Sequence, residues 1–512
     1  MKEKAGNSLI AFNSAILYVK MLITIAIALY STRLVLEALG VEDYGIYAVV
    51  GGLIALLGFL KNSMSISTQR FMSFYLGTED NEKLNTVFNT SFILHGILAI
   101  GIALILEVAG FFFFENILNI SEDKIDIAKT VFHFMTFSTM ITVFSVPFEA
   151  LLNSHENFKI VALFEIVSSV LKLLIAFYLF YTGFDKLFIY SLLSALSVVL
   201  ILGVQGLYTM QKYSIIKIQL DKYYDKILIK DMTSFAGWNT FGVACSIGRN
   251  QGVAVLLNIF YGTTINAAYG IANQINSQLL GFSSTLLNSF NPQILKSEGS
   301  QDRTRMLDLA MSASKFSFFM LAIIAVPVLI EMPFVLKLWL KEVPDYTVTF
   351  GRLVILITLL NQLGSGLPII LQAVGNIKWY QIIVGSLILL IIPIGYLFLY
   401  LGYPPYTILI VSFLIEIPAL LLRLYFAKLH GGLSIITYLQ KVVVRTIPIL
   451  ILTIGISLLV HSITNNEITR FVLTLVTSTS VLIFLVYQIG LSKSEKTKIV
   501  NQIIKIKKSG FN

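Results

Sequence analysis

Charge is scarce in this chain. Asp, Glu, Lys and Arg make up 13% of its 512 residues, about half the share of an average soluble domain. There is a single cysteine, Cys245, so no disulfide framework can hold a small secreted fold. It lies in an apolar run and reads as a small packing residue. The five histidines, His95, His133, His155, His430 and His461, fall in separate segments, and no metal site is expected from them. No G-x-x-x-x-G-K-[ST] run occurs, which excludes a P-loop ATP motor from this chain, and H-E-x-x-H is also missing. Nor does the sequence alternate apolar and polar residues in the segments of about 10 residues that build a membrane β-barrel.

Apolar side chains are what the chain has in excess: 56% of the residues, with a mean hydropathy of +0.82. A water-soluble fold could not hide that much apolar surface. Soluble enzymes, disordered proteins and nucleic-acid-binding domains are therefore excluded, and the net charge of +9 is assigned to loops flanking a bilayer. A membrane-crossing helix needs about 20 mainly apolar residues. Fourteen such spans are predicted, at 9–36, 44–75, 87–114, 127–152, 159–183, 187–211, 232–260, 265–295, 306–332, 346–374, 379–401, 405–427, 442–462 and 469–490. The first is too long for the apolar core of a signal peptide and is expected to be retained. With the N-terminus cytoplasmic, 24 Lys and Arg fall in inside segments, Arg70 and Arg423 among them, against five outside. That split predicts both termini inside. The last stretch, 491–512, mixes lysines with Ile499, Val500, Ile503, Ile504 and Ile506, the pattern of a basic amphipathic helix on the cytoplasmic leaflet.

The chain resembles itself. The run from Gly77, GTEDNEKL, matches GSQDRTRM from Gly299; YGI at 44–46 matches YGI at 269–271; and Pro147 pairs with Pro368. Each pair lies in equivalent spans, and the offset covers six helices, so the two copies share one orientation in the membrane. The expected fold is an all-α integral membrane protein of about 14 helices. An N-lobe (1–211) and a C-lobe (231–428) of six helices each are related by a pseudo-two-fold axis, joined by a basic cytoplasmic linker (212–230), and followed by two further helices (429–490). Substrate is expected between the lobes near the middle of the membrane.

A charge in hydrocarbon costs a few kcal/mol or more, so it faces a partner or a wet cavity. The first span carries Asn13, Lys20, Thr24 and Ser31 on one helical face; Lys61 and Asn62 lie on the second; Asn239, Ser246, Arg249 and Asn250 on the seventh; Asn273 and Ser277 on the eighth. Helix packing accounts for the small residues along these stripes. It does not account for Lys20, Lys61 and Arg249, which are candidate substrate-binding cations, with the Asn, Ser and Thr residues as candidate cavity lining. A wet cationic chamber suits an anionic group, above all a phosphate or pyrophosphate. Among the buried acids, Glu149 follows Pro147 by two residues, where the helix must lose a backbone hydrogen bond. It is the candidate for gating or ion coupling, with a simple structural kink as the alternative.

RLVLEALGVEDYGIYAVVGGL at 33–53, VPFEALLNSHENF at 146–158, the run at 235–262, AAYGIANQINSQLLGF at 267–282 and GLPIILQAVGN at 366–376 together resemble the polysaccharide flippases. These belong to the multidrug/oligosaccharidyl-lipid/polysaccharide exporter superfamily. The resemblance implies a location in the bacterial inner membrane. It implies movement of undecaprenyl-pyrophosphate-linked oligosaccharides from the inner to the outer leaflet for O-antigen, capsule or exopolysaccharide assembly, by alternating access through a cationic cavity. Lys20, Lys61 and Arg249 would then contact the pyrophosphate or acidic sugars. It further implies coupling to H⁺ or Na⁺, no organic cofactor, and partners limited to the lipid-linked substrate, membrane lipids and other polysaccharide-assembly proteins. A multidrug cation antiporter of the same superfamily is the alternative, and predicts a cavity dominated by carboxylates. A membrane polysaccharide polymerase or ligase would want a large outside loop; none here exceeds about 15 residues, short of the surface a large glycan substrate needs.

Overall fold

In a computed structural model, residues 2–55, 57–118, 120–340, 342–493 and 495–497 are described, with side chains from residue 9 onward. The amphipathic tail expected over 491–512 therefore lies, beyond residue 497, outside the described residues. The described chain is all-helical. Eleven helices, or twelve with one pair bent by 44°, are long and apolar enough to cross a membrane. Two of these are double. α1 (Lys2–Ala55) and α8 (Lys226–Gly299) each contain one glycine outside helical geometry, Gly40 (φ 82, ψ 171) and Gly262 (φ 80, ψ −174). Division at those glycines, with the bent pair taken as one span, brings the count to one roughly consistent with the fourteen spans predicted from the sequence.

Contacts group the chain into two compact units. The N-unit is Ala11–Thr240 with Gly299–Gln301; the C-unit is Phe241–Glu298 and Asp302–Asn512 with Met1–Ile10. After α1 the N-unit continues through α2 (Gly58–Gly77), α3 (Asn81–Asn116), α4 (Ile125–Phe144), α5 (Val146–Ser154), α6 (Phe158–Tyr178) and α7 (Lys186–Lys212). α3 shows why these segments are helices in lipid. Ala99, Ile102, Leu106, Gly110 and Phe114 recur every three or four residues and are buried, while Ile97, Ile100, Leu104, Val108 and Phe111 are exposed and just as apolar. One face packs the core around Phe132 and the other faces hydrocarbon.

The linker is tied down where it begins. The Asn85 side chain donates to the Ile215 carbonyl (2.6 Å) and accepts from Lys217 N–H (2.9 Å). Asn89 repeats the pattern with the Lys217 carbonyl (2.8 Å) and Gln219 N–H (2.9 Å). A primary amide presents an N–H donor beside a carbonyl acceptor, so it can pair with a peptide backbone as another peptide group would. Two of them one helical turn apart thus read alternate residues of an extended chain.

In the C-unit the second half of α8 is followed by α9 (Arg303–Ile330), α10 (Met332–Trp339), α11 (Thr347–Gln362), α12 (Leu367–Val374), α13 (Lys378–Leu389), α14 (Ile391–Tyr400), α15 (Thr407–Gly431) and the single turn α16 (Ile435–Tyr438). α17 (Val444–Ile463) and α18 (Glu467–Leu485) close the chain. α9 is the interior helix: 67% of its apolar window is buried, against 17–44% in the other candidate spans. Ile449 of α17 and Leu482 of α18 join Phe318, Ala322 and Leu359 in one core, so the two extra helices are built into this unit. Two charged residues, one at the C-terminus of α9 and one near its middle, also hold the last part of the described chain. At the C-terminus of α9 Glu331 accepts from His461 Nδ1 (2.8 Å), Thr474 (2.9 Å) and Arg470 (3.2 Å). Further back, Lys315 donates to both oxygens of Glu495 (2.8 and 2.7 Å) and to the Gly490 carbonyl (3.3 Å). Cys245 is buried and faces Gly385, where a Cβ would lie 3.0 Å from its sulfur, so it serves as a packing residue.

The internal repeat is written in backbone geometry as well as in sequence. Gly40 and Gly262 break their helices alike; Glu79 (φ 59) and Gln301 (φ 61) take the left-handed conformation. Asp80 and Asp302 then cap α3 and α9 by accepting from Lys83 N–H (2.9 Å) and Arg305 N–H (3.1 Å). All three pairs are 222 residues apart. Pro147 and Pro368 each open a short helix after a break, in α5 and α12. A proline has no N–H to donate to the preceding turn, so it fits the first turn of a new helix and not the interior of a continuous one.

Gly40 and Gly262 occupy a backbone region that side chains with a Cβ almost never enter. Open space surrounds both, so the cost of substitution is conformational. Gly40→Ala and Gly262→Ala are each expected to destabilise the protein by about 1–3 kcal/mol. Gly455→Ala, in mid-helix with equal space, is expected to be neutral or mildly stabilising. Thermal unfolding of the three variants in detergent measures the difference.

Candidate functional site

Besides the charges on α9 that hold the end of the chain, two clusters of charged side chains lie within spans among the described residues, one in each unit. In the N-unit, Lys20 on α1 forms an ion pair with Glu165 on α6 at 2.6 Å. Both carboxylate and ammonium are only partly covered. Glu149 sits in the first turn of α5, directly after the Pro147 break, where the free N–H groups of a helix start favour a carboxylate. Lys61, Glu165 and Lys20 all act on it electrostatically. Lys61 also acts on His95 of α3. That histidine is fully buried: its Nδ1 lies 2.8 Å from the Ser91 carbonyl, and its Nε2 has no partner among the described residues. Lys20, Lys61 and Glu149, singled out from the sequence, thus gather in one place with Glu165 and His95. Two cations there face two carboxylates.

The C-unit cluster is built differently. Glu416 and Arg423 lie seven residues apart on α15, and Arg423 Nη1 is 2.7 Å from Glu416 Oε1. Glu416 is 1% exposed. Arg423 also donates to Asn361 Oδ1 of α11 (3.0 Å) and hydrogen-bonds Tyr380 of α13. Arg249 on α8 stands 4.0 Å from Glu416 Oε2, on the edge of ion-pair range. Its Nε and Nη2 are held by the neighbouring Asn250 Oδ1 at 3.1 and 3.0 Å. This cluster has two guanidinium groups and one carboxylate.

The remaining residues of the predicted polar stripes have quieter roles. Thr24, Ser246 and Ser277 bond carbonyls of their own helices, at Met21 (3.1 Å), Gly242 (3.1 Å) and Asn273 (2.9 Å). Asn273 hydrogen-bonds the Tyr269 hydroxyl. Asn13 and Asn239 are buried and Asn62 is exposed. Two cations assigned to cytoplasmic segments do not reach solvent. Arg423 is in the pair just described. Arg70 is buried, its guanidinium 4.3, 5.3 and 5.7 Å from the rings of Phe71, Phe74 and Phe235, an arrangement that substitutes π faces for water. The i, i+7 spacing of Glu416 and Arg423 was the available signal for the pair; the partner of Lys20 lies 145 residues away and leaves none.

Residues 17–178 match the MatE family profile. No curated protein sequence matches the chain. Among solved structures it is similar to a MATE transporter in its straight conformation, with TM-score 0.69, 16% identity, and coverage of 83% of this chain and 96% of that one. It is also similar to an outward-facing multidrug resistance MATE family transporter of the MOP superfamily (TM-score 0.68, 15% identity, 83% and 96% covered). A third likeness is to a MOP superfamily transporter from Pyrococcus furiosus, described as having a binding pocket of reverse polarity that suggests a different function (TM-score 0.67, 15% identity, 82% and 95% covered). At such identities the likeness defines the fold. The chain is a multi-pass membrane protein of the MATE transporter fold, with a MatE segment in its first half. MatE-family proteins are transporters, not enzymes.

Proposed function

We propose that this protein is a MATE-type exporter working by alternating access, with both termini cytoplasmic. The shared fold over more than four-fifths of the chain carries this reading. Two substrate classes remain, each with its own support. Multidrug efflux is supported by the likeness to a multidrug resistance transporter and by the N-unit cluster, in which Lys20 is paired with a carboxylate. The C-unit favours an anion, such as the pyrophosphate of a lipid-linked oligosaccharide bound for the outer leaflet of a bacterial inner membrane. There Arg249 and Arg423 share one carboxylate, which leaves one positive charge over. The P. furiosus transporter of similar fold is itself described as having a binding pocket of reverse polarity. One strain lacking the gene separates the two. Restored surface polysaccharide on complementation supports the lipid-linked substrate; restored resistance across a panel of cationic drugs, with polysaccharide unchanged, supports the multidrug reading.

For either substrate, Glu149 is the proposed carrier of the coupling proton. It lies at a helix break, close to Lys61, Lys20 and Glu165, and is bound by no described side chain. Glu149→Gln is expected to leave substrate binding within about twofold and to abolish uptake driven by a pH gradient in proteoliposomes, because proton transfer needs a group that changes protonation. Retention of gradient-driven transport by Glu149→Gln would leave the residue as part of a structural kink.

A further inference from the structure

We propose that Arg249 is an anion switch whose built-in competitor is Glu416: an anionic oxygen group of the substrate, phosphate, pyrophosphate or carboxylate, takes Arg249 away from Glu416. The inference rests on the anionic-substrate reading above. Three observations carry it. The cluster of Arg249, Arg423 and Glu416 has one cation too many. Net charge within a membrane span is costly, and an external anion is the simplest way to cancel it. The two arginines are also held unequally. Arg423 is locked at 2.7 Å from Glu416, with further bonds to Asn361 and Tyr380. Arg249 stands back at 4.0 Å. Finally, the orientation of Arg249 is fixed from the other side. Asn250 occupies Nε and Nη2, so Nη1, the nitrogen nearest Glu416, is the one left to take a second acceptor. The Arg249 side chain is 21% exposed, whereas that of Glu416 is 1% exposed, so an incoming anion reaches the arginine and not the carboxylate. Glu416, fixed by Arg423, then acts as a weak internal ligand. It keeps Arg249 oriented when the site is empty and gives it up to a stronger, bidentate acceptor. Arg423 and Glu416 are positioning residues in this scheme.

The test measures anion binding to the full-length protein in detergent by isothermal titration with inorganic pyrophosphate, with chloride as the control, and in a second arm with a polyprenyl phosphate. The wild type is expected to bind pyrophosphate and not chloride. Arg249→Gln should weaken binding at least tenfold. Glu416→Asp keeps the charge opposite Arg423 but draws it back from Arg249, and should tighten binding several-fold; melting without ligand confirms that each variant is folded. Arg249-dependent binding of both probes, or of the polyprenyl phosphate alone, supports the site and assigns the anion to free or lipid-borne phosphate. No binding by the wild type, equal affinity in Arg249→Gln, or equal or weaker affinity in Glu416→Asp overturns the inference. Failure of the flippase reading is seen separately: pyrophosphate binding that depends on Arg249, in a protein whose loss leaves surface polysaccharide intact, keeps the switch and discards that substrate. Polysaccharide that depends on the protein, with no role for Arg249 in pyrophosphate binding, does the reverse.

Discussion

Arg423→Ala destabilises the C-unit by about 3–5 kcal/mol, the cost of leaving a buried charge without its partner. Glu416 is 1% exposed, and its two oxygens are held by the charges of Arg423 and Arg249 and by no hydrogen bond from another described side chain. Once the guanidinium is gone, water cannot replace it. Arg249 can lean in from 4.0 Å, which places the effect at the lower end of that range. The loss should appear as a lower melting temperature in detergent and a smaller amount of folded protein in the membrane. The double variant Glu416→Leu/Arg423→Met removes both charges together and keeps the volume filled. It is expected to recover most or all of the stability, because well-packed apolar residues often equal or exceed a buried ion pair. A double variant as unstable as Arg423→Ala would mean that the contacts of Arg423 with Asn361 and Tyr380, and not its charge, hold this part of the unit.

The same pair marks the limit of what the sequence discloses. Span positions follow from hydropathy because lipid enforces the same rule on every turn of a helix. Even the doubling of α1 and α8 leaves a trace, a glycine at each break. The repeat was legible because its punctuation is local: Gly77 with Asp80, Gly299 with Asp302, and Pro147 with Pro368 each shape a few residues of backbone. Side-chain partners are another matter. Lys20 announces itself as a charge within an apolar run, yet nothing near it in the chain points to Glu165 on α6. Arg70 looks like a snorkelling residue at the end of a span, and only the fold brings Phe235 beside the two local rings. Asn85 and Asn89 read as ordinary polar residues at a helix start until the linker at 215–219 is laid against them. Periodicity reports which face of a helix is buried, but not what is buried against it.

Glu495→Ala is expected to release the start of the C-terminal segment from α9, at a local cost of about 3–5 kcal/mol, whereas Lys315→Met should cost little. The asymmetry follows from where each charge lies. The Lys315 side chain is 5% exposed, on the most interior helix of its unit; that of Glu495 is 19% exposed, with Arg445 4.0 Å away. Without Glu495, the ammonium keeps only the Gly490 carbonyl at 3.3 Å. Without Lys315, the carboxylate still has Arg445, Ser492 N–H at 2.7 Å and a route to water, while methionine fills the space left by the lysine stem. Limited proteolysis near residue 490 should therefore accelerate strongly in Glu495→Ala and barely in Lys315→Met. Acid should act as the first variant does. Burial by itself would raise the Glu495 carboxyl, but the charge of Lys315 and the hydrogen bonds from Lys315 and Ser492 outweigh it and hold the group below the usual carboxylate value. A depressed carboxylate stabilises the folded form above its unfolded value of about 4.5, and that contribution is lost as the pH falls through the folded value. Protease sensitivity of the wild type should accordingly stay flat from neutral pH down to about pH 5 and rise below it. In Glu495→Ala it should be high throughout and show no such rise. A wild-type profile that climbs equally in both proteins would assign the acid response to another group and remove Glu495 from the clasp.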